Sequence, residues 1–254
     1  MTDGGGGSGL LRDRVAVVTG PSQGIGAAIA RRLASEGASV ALLARSVDKL
    51  DLLASELGPA SSAAFGCDVG SPASVRDAFD RVGERFGRID LLVNNAGIIG
   101  MALLDQADDR HILDQVATNL VGPMLCARAA IPLLRAAGGG HVVNISSRSV
   151  ELARPYLSVY SATKGGIEVF SRTLAAELRP DRIRVSTIRV GPVASAPELR
   201  AEGEGGRAVV DDWVARGGPA PEPPAPPESV ADAVVFLATA RPGARFPVVH
   251  LEPE

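Results

Sequence analysis

Short apolar runs rich in β-branched residues alternate along this chain with longer amphipathic segments. The amphipathic segments carry apolar side chains at spacings of three and four, which is the period of a helix. Gly24–Glu36 and the stretch that follows Tyr160 are the clearest predicted helices. The predicted strands are Val15–Thr19, Val40–Ala44, Ala63–Asp68, Leu91–Asn94, His141–Ile145, Ile183–Ile188 and Pro247–His250.

The strand runs are apolar without strict alternation, which is typical of strands covered on both faces. Alternation of strands with helices predicts an α/β fold, a doubly wound parallel sheet of about seven strands with helices on both faces. Ligands of such sheets bind beyond the carboxyl ends of the strands. The residues that follow each strand are therefore the candidates for chemistry.

The composition divides the chain into a tail and one domain. Residues 1–10 are glycine-rich and lack an apolar signal core, so we expect a flexible tail followed by a single domain over 11–254. Residues 192–228 interrupt the strand–helix rhythm with many Pro, Gly, Ala and Glu residues. This segment is either a surface excursion or a lid over the substrate, and its position after a strand favours the lid.

Bulk properties exclude several function classes. The 254 residues carry a net charge of −3 without a basic cluster, which argues against nucleic-acid binding. The sequence has no uninterrupted apolar run of about 18 residues, so a membrane span is not expected. Cys67 and Cys126 lack metal-ligand spacing, so we expect free buried thiols, no metal site and a cytoplasmic location. The three histidines, His111, His141 and His250, are expected at the surface or at strand edges.

A glycine turn follows the first strand and opens the first helix. Gly20, Gly24 and Gly26 allow a tight turn in which the backbone N–H groups and the helix amino terminus approach a pyrophosphate. Any strand-to-helix turn needs glycine, but the flanking strand and helix favour dinucleotide binding. The contacting residues are predicted to include Ser22, Gln23 and Ile25 as well.

The end of the second strand bears on the choice of dinucleotide. An acidic residue there holds the ribose 2′-hydroxyl of NAD, whereas this chain has Ala44 followed by Arg45. A guanidinium favours a 2′-phosphate and therefore NADP, with NAD the weaker candidate. The alternative is a solvated arginine without a ligand.

Tyr160, Lys164 and Ser147 suggest a reaction. A tyrosine titrates near pH 10, but a lysine four residues along a helix lies one turn away and favours the phenolate. A serine hydroxyl arriving from another strand can polarise a substrate carbonyl. We therefore expect Tyr160 to transfer protons to or from a carbonyl or alcohol.

Together with Asp68-Val69 and Asn94-Asn95-Ala96-Gly97, these motifs resemble the short-chain dehydrogenase/reductase family, in its branch near this chain length. The resemblance runs from about Leu11 to Gly191. It implies a Rossmann-type fold and an NAD(P)-dependent oxidoreductase that interconverts a ketone or aldehyde and an alcohol. A homodimer or homotetramer acting on a small molecule is implied as well.

The resemblance assigns roles to individual residues. The catalytic set would be Asn119, Ser147, Tyr160 and Lys164, in which Lys164 also holds the nicotinamide ribose and Asn119 anchors a water that relays protons. Asp68 would bind the adenine amino group. The remaining implied cofactor contacts are Val69, Asn95, Ala96, Gly97, Gly191, Val193 and Ser195.

Two departures from the family pattern concern the carboxyl-terminal third. Val190 replaces the proline expected before Gly191, and Ser195 stands where a threonine is usual. Phe246–Glu254 lacks the usual glycine-rich segment, so the common carboxyl-terminal subunit contact is not expected.

The sequence leaves the substrate open, and it leaves non-enzymatic functions as alternatives. The pocket is expected to involve Ile98, Ile99, residues 148–156 and Trp213, in which Arg148 and Arg154 either meet an acidic substrate or are solvated. Steroids, sugars, polyketide-like ketones and small alcohols are all compatible. A dinucleotide-sensing protein without activity and a structural subunit are the competing functions, and the intact catalytic set favours the enzyme.

Overall fold

The computed structural model describes residues 9–58, 60–194, 209, 211–219, 222–241 and 243–253. Most of the predicted tail and the predicted contact Ser195 lie outside these residues. The described strands are β1 (Val15–Thr19), β2 (Ser39–Ala44), β3 (Ser62–Gly66), β4 (Leu91–Asn94), β5 (Gly140–Ser147), β6 (Ile183–Val190) and β7 (Val248–Leu251). They form one seven-stranded sheet in the order β3-β2-β1-β4-β5-β6-β7, and every neighbouring pair is parallel.

Helices cover both faces of this sheet, which confirms the predicted doubly wound architecture. One face packs against the first, second and last helices, through side chains such as Ile29, Leu50 and Val234. The other face packs side chains such as Phe79, Leu134 and Leu174. The helices are α1 (Gly24–Ser35), α2 (Val47–Leu57), α3 (Pro72–Phe86), α4 (Asp109–Val116), α5 (Gly122–Ala136), α6 (Ser158–Glu177) and α7 (Pro227–Thr239).

Several strand ends differ from the sequence-based bounds, and the differences affect the site. β5 and β6 each continue two residues further because they pair with each other up to Ser147 and Val190. β3 stops at Gly66, where its pairing with β2 ends. Ser147 is therefore the last residue of a strand, and Asp68 lies in the loop beyond one.

The strand order reverses its direction of winding at β1, whose neighbours are β2 and β4. Connections on the two sides of this point run to opposite faces of the sheet, which leaves a crevice at the carboxyl ends of β1 and β4. The glycine turn follows β1, and the Asn94–Gly97 motif ends and follows β4. The topology thus brings the two motifs together.

One helical stretch, Asp109–Ala136, is long and apolar enough by length and composition to cross a membrane, although the sequence shows no uninterrupted apolar run. Its side chains Cys126, Ala130 and Leu134 are completely buried in the core on one face of the sheet. The stretch is a core helix that packs on the sheet.

Both cysteines, Cys67 and Cys126, are buried free thiols, as predicted. Burial raises the pKa of Cys67 to about 11 and that of Cys126 further. His141 departs from the prediction of an edge position, because it is buried between Leu237 and Ser186.

Candidate active site

The turn after β1 has the close packing that its glycines predict. Gly20 and Gly24 have φ values of +67° and +54°, in the left-handed region that favours glycine. A Cβ on Gly26 would lie 2.4 Å from the Gly20 carbonyl oxygen and 2.5 Å from Nδ2 of Asn95. Gln23, at the amino-terminal cap of α1, makes no side-chain capping bond. The first N–H groups of α1 are therefore left for an anionic ligand.

Asn95 connects the ends of β1 and β4. Its Nδ2 donates hydrogen bonds to the carbonyl oxygens of Thr19 at 3.0 Å and Gly20 at 3.2 Å. The Thr19 hydroxyl in turn accepts the backbone N–H groups of Asn95 and Ala96, both at 3.0 Å. The side-chain amide of Asn95 thus holds the glycine turn in place, and the residue also lines the cleft.

The far end of the cleft contains the residues predicted to select the dinucleotide. Arg45 is exposed and lies beyond β2, beside Ser46 and Lys49. Asp68 uses Oδ1 to accept the Gly70 N–H at 3.0 Å, and its other carboxylate oxygen has no hydrogen-bond donor among the described residues. Ser46 was missed from the sequence, although its place at the amino-terminal cap of α2 is a recognisable signal.

The near end brings together the predicted acid–base residues. Ser147 ends β5, while Tyr160 and Lys164 lie one turn apart on α6 and are both buried. Nζ of Lys164 donates a 2.8 Å hydrogen bond to the Ile145 carbonyl and lies 5.7 Å from the centroid of the Tyr160 ring.

The electrostatics of Tyr160 differ from the sequence-based expectation. Burial raises the pKa of Tyr160, while the Ser147 hydroxyl and the charge of Arg154 act to lower that pKa. Burial lowers the pKa of Lys164 to about 8. A buried ammonium is costly, so this lysine exchanges its proton closer to neutrality than a solvated one.

Asn119 lies in a π-helical turn, Ala117–Val121, that interrupts the helix between α4 and α5. Gly97 lies between this asparagine and the lysine, since a Cβ on it would be 3.3 Å from Oδ1 of Asn119 and 3.6 Å from Nζ of Lys164. Asn119 lies behind the cleft wall, and the proton-relay water stays a prediction.

One cleft of about 940 Å³ joins these groups. Its lining includes, of the predicted residues, Gly20, Ser22, Gln23, Gly24, Ile25, Gly26, Arg45, Asp68, Val69, Asn95, Ala96, Gly97, Ser147, Tyr160, Lys164, Gly191 and Val193. The sequence did not point to Met101, Thr118 or Leu157, which also line it and have no motif of their own.

The two ends of the segment that follows β6 pair with each other. Val193 pairs with Ala225, and the Ala225 N–H donates to the Pro192 carbonyl at 2.9 Å. Residues 211–215 are helical, and Trp213 lines the cleft. The Tyr156 hydroxyl donates to the Asp212 carboxylate, which joins this segment to the loop after Ser147.

The sequence profile of the short chain dehydrogenases matches residues 14–203. The chain belongs to the short-chain dehydrogenase/reductase family. Within the family, it resembles the 3-oxoacyl-(acyl-carrier-protein) reductase of Bos taurus, with 38% identity over 179 residues, 70% of this chain and 75% of that protein.

Solved structures of short-chain dehydrogenases/reductases have the same fold. A metagenomic short-chain oxidoreductase in complex with NADP has a TM-score of 0.78 and 33% identity, covering 96% of this chain and 99% of its own. The 3-ketoacyl-(acyl-carrier-protein) reductase from Brucella melitensis complexed with NADH has a TM-score of 0.81 and 27% identity, and the match covers 95% of this chain and 96% of that reductase. This short-chain dehydrogenase/reductase is accordingly an oxidoreductase that binds a nicotinamide dinucleotide.

The site fits such a dinucleotide. The glycine turn leaves no room for a Cβ at Gly26, and the uncapped start of α1 offers N–H donors to phosphate groups. The free carboxylate oxygen of Asp68 lies at one end of the cleft and the ammonium of Lys164 at the other. These groups match an adenine amino group and ribose hydroxyls, respectively.

Proposed function

We propose that this enzyme interconverts a ketone or aldehyde and the corresponding alcohol, with NADP(H) preferred and Tyr160 as general acid and base. The observation that carries the proposal is the meeting of Ser147, Tyr160 and Lys164 at one end of a cleft that continues to the glycine turn. This arrangement offers a proton donor and a hydrogen-bond donor to one carbonyl oxygen.

In the reductive direction, a bound reduced nicotinamide supplies the hydride that the carbonyl carbon receives. The phenol of Tyr160 donates its proton to the carbonyl oxygen, and the Ser147 hydroxyl donates a hydrogen bond to the same oxygen as negative charge develops. The carbonyl thus gains one hydride and one proton and becomes an alcohol. Oxidation uses the same residues in reverse.

Lys164 returns a proton to Tyr160 in this scheme. With a pKa near 8, it exchanges protons close to neutral pH, and its bond to the Ile145 carbonyl keeps it beside the tyrosine. Asn119 would anchor the water that connects Lys164 to solvent. Because burial raises the Tyr160 pKa, the phenol stays protonated and ready to donate.

The preference for NADP(H) rests on the charge at the end of β2. Arg45 is exposed at the cleft rim, with Lys49 on the first turn of α2 and the Ser46 hydroxyl between them. These three side chains are hydrogen-bond donors, and two of them are positively charged, which suits a 2′-phosphate. Ala44 has no carboxylate that could bind the two hydroxyls of an NAD ribose.

We further propose that residues 192–228 form a lid and that the enzyme assembles into a homodimer or homotetramer. The lid is supported by the parallel bridge between Val193 and Ala225, which joins the two ends of this segment beside the cleft.

The assembly is supported by the exposed apolar side chains of Leu113, Val121 and Val169, which lie on neighbouring helices. Light scattering of the purified protein measures the assembly. The free thiols are consistent with a cytoplasmic location.

Steady-state assays with a carbonyl panel, NADPH and NADH test the proposed activity, with Tyr160→Phe as the decisive variant. We expect wild-type turnover to fall by about a hundredfold or more in the variant, as for removal of a general acid, with cofactor binding retained. Full activity of Tyr160→Phe would contradict the mechanism. Binding of NADPH by a wild type that reduces no carbonyl would favour the sensing alternative.

A further inference from the structure

Two arginines in the loop that follows the catalytic serine have different surroundings. Arg148 donates hydrogen bonds to carboxylates of Glu222 at 2.6 Å and Glu252 at 2.5 Å. Its charge is therefore compensated twice, by the lid segment and by the carboxyl-terminal tail. Arg148 links these two segments to the loop. Both of its terminal nitrogens are engaged, and only its buried Nε lacks an acceptor among the described residues.

Arg154 has no such partner. Among the described residues, no carboxylate lies within ion-pair distance of it, and its Nε is buried without a hydrogen-bond acceptor. The guanidinium lies 5.9 Å from the centroid of the Trp213 ring. An arginine keeps its charge in any protein environment, so this wall of the cleft holds a cation that the described residues leave without an ion-pair partner.

This cation lies close to the reacting groups. Arg154 and Leu157 line the same cleft as Ser147 and Tyr160, and the charge of Arg154 reaches the Tyr160 phenol. A guanidinium held against an aromatic ring presents its edge, which matches the two oxygens of a carboxylate or phosphate. A small molecule with its carbonyl on Tyr160 therefore extends toward this edge.

We propose that Arg154 binds an anionic group of the substrate, so that the enzyme acts on carbonyl compounds bearing a carboxylate or phosphate. This inference rests on the proposed oxidoreductase function and specifies its substrate class. A competing explanation is that Arg154 only balances the excess negative charge of the group formed by Arg148, Glu222 and Glu252. Both carboxylates form their ion pairs with Arg148, however, and act on Arg154 only through their charge.

Matched substrate pairs test the proposal. A 2-oxo acid and a 3-oxo acid are compared with their methyl esters, and a phosphorylated hydroxyketone with its dephosphorylated form. We expect kcat/KM to be about ten- to a hundredfold higher for the anionic member of at least one pair, as a charge-assisted contact provides. Arg154→Gln should abolish the difference between the two members of the pair, mainly by raising KM for the anionic member.

Arg110→Gln is the matched control, because it removes an exposed arginine of α4 that does not line the cleft. It should leave the ratio of anionic to neutral kcat/KM as in the wild type. Added salt should raise the wild-type KM for the anionic member only, which supplies a test that needs no variant. A wild type without anion preference, or a preference that survives Arg154→Gln, would overturn the inference while turnover of neutral carbonyls upholds the proposed function.

Trp213 provides a measurement independent of turnover, since it is the only tryptophan in the chain. Protein saturated with the oxidised cofactor is titrated with propionate and with propionamide while its fluorescence is recorded. We expect a saturable change with propionate alone, which Arg154→Gln abolishes and Arg154→Lys partly restores. Equal responses to both compounds would overturn the anion site even if no carbonyl were reduced.

Discussion

The side-chain amide of Asn119 forms hydrogen bonds with both backbone polar groups of Ile98. The side-chain oxygen of Asn119 accepts the Ile98 N–H, and its amide donates to the Ile98 carbonyl, both at 2.8 Å. The side chain thereby replaces the strand neighbour that the loop beyond β4 lacks. Because Asn119 is buried, it holds the Gly97 backbone beside Lys164 from behind the cleft.

Asn119→Ala is expected to destabilise the protein by about 1–3 kcal/mol, because it leaves two backbone groups without partners. Urea unfolding measures this loss. The Gly97–Ile98 loop should also loosen, which raises the KM for the dinucleotide. Asn119→Asp is the informative comparison, since it can accept the Ile98 N–H but repels the carbonyl. An alanine variant as stable as the wild type would refute the structural role of this side chain.

Gly26→Ala is expected to abolish cofactor binding, because its Cβ would meet the Gly20 carbonyl at 2.4 Å and force the turn open. Gly165→Ala is a suitable control, as its Cβ would meet nothing closer than 3.9 Å. In the interior of α6, that alanine should stabilise the protein by about 0.5–1 kcal/mol. Titration of both variants with NADPH, followed by nicotinamide fluorescence, compares them. Similar dissociation constants would disprove the steric argument.

Arg45→Ala should weaken NADPH more than NADH. One charge-assisted contact to a 2′-phosphate contributes about 1.5–3 kcal/mol, which corresponds to a ten- to hundredfold rise in the KM for NADPH. The KM for NADH should stay close to the wild-type value. An equal change for both cofactors would remove Arg45 from the phosphate site and weaken the proposed preference.

His141 makes the fold sensitive to acid. Its Nδ1 donates to the Leu237 carbonyl and its Nε2 accepts the Ser186 hydroxyl, so the buried imidazole is neutral. Burial lowers its pKa to about 3, below the 6.5 of an unfolded chain. The unfolded state therefore binds a proton first, and the stability present above pH 6.5 is lost as the pH falls toward 3.

Unfolding free energies of the wild type and His141→Gln, measured at pH 7 and pH 5, test this linkage. The wild type should lose about 2 kcal/mol more than the variant over this interval, since one proton is taken up on unfolding below pH 6.5. Parallel losses in the two proteins would show that other groups control acid stability.

The sequence alone predicted the elements that depend on local pattern. Periodic apolar positions predicted the seven strands and a parallel sheet with helices on both faces. The predicted strand ends, such as that of β3, are wrong by one or two residues. Each strand ends where its pairing with a neighbouring strand ends, and the periodicity of one strand carries no information about that pairing. The glycine turn and the Tyr160–Lys164 spacing were recognisable because a turn and a helix are short-range structures.

Only the tertiary structure decided the electrostatics and the partners of the site. Arg148 and Arg154 are equivalent in the sequence, yet Arg148 meets glutamates 74 and 104 positions away while Arg154 faces the cleft. Burial raises the pKa of Tyr160, and Ser147 and Arg154, which are distant from it in sequence or lie on another element, lower that pKa. These properties arise from contacts between residues distant along the chain, and local sequence patterns describe only contacts between near neighbours.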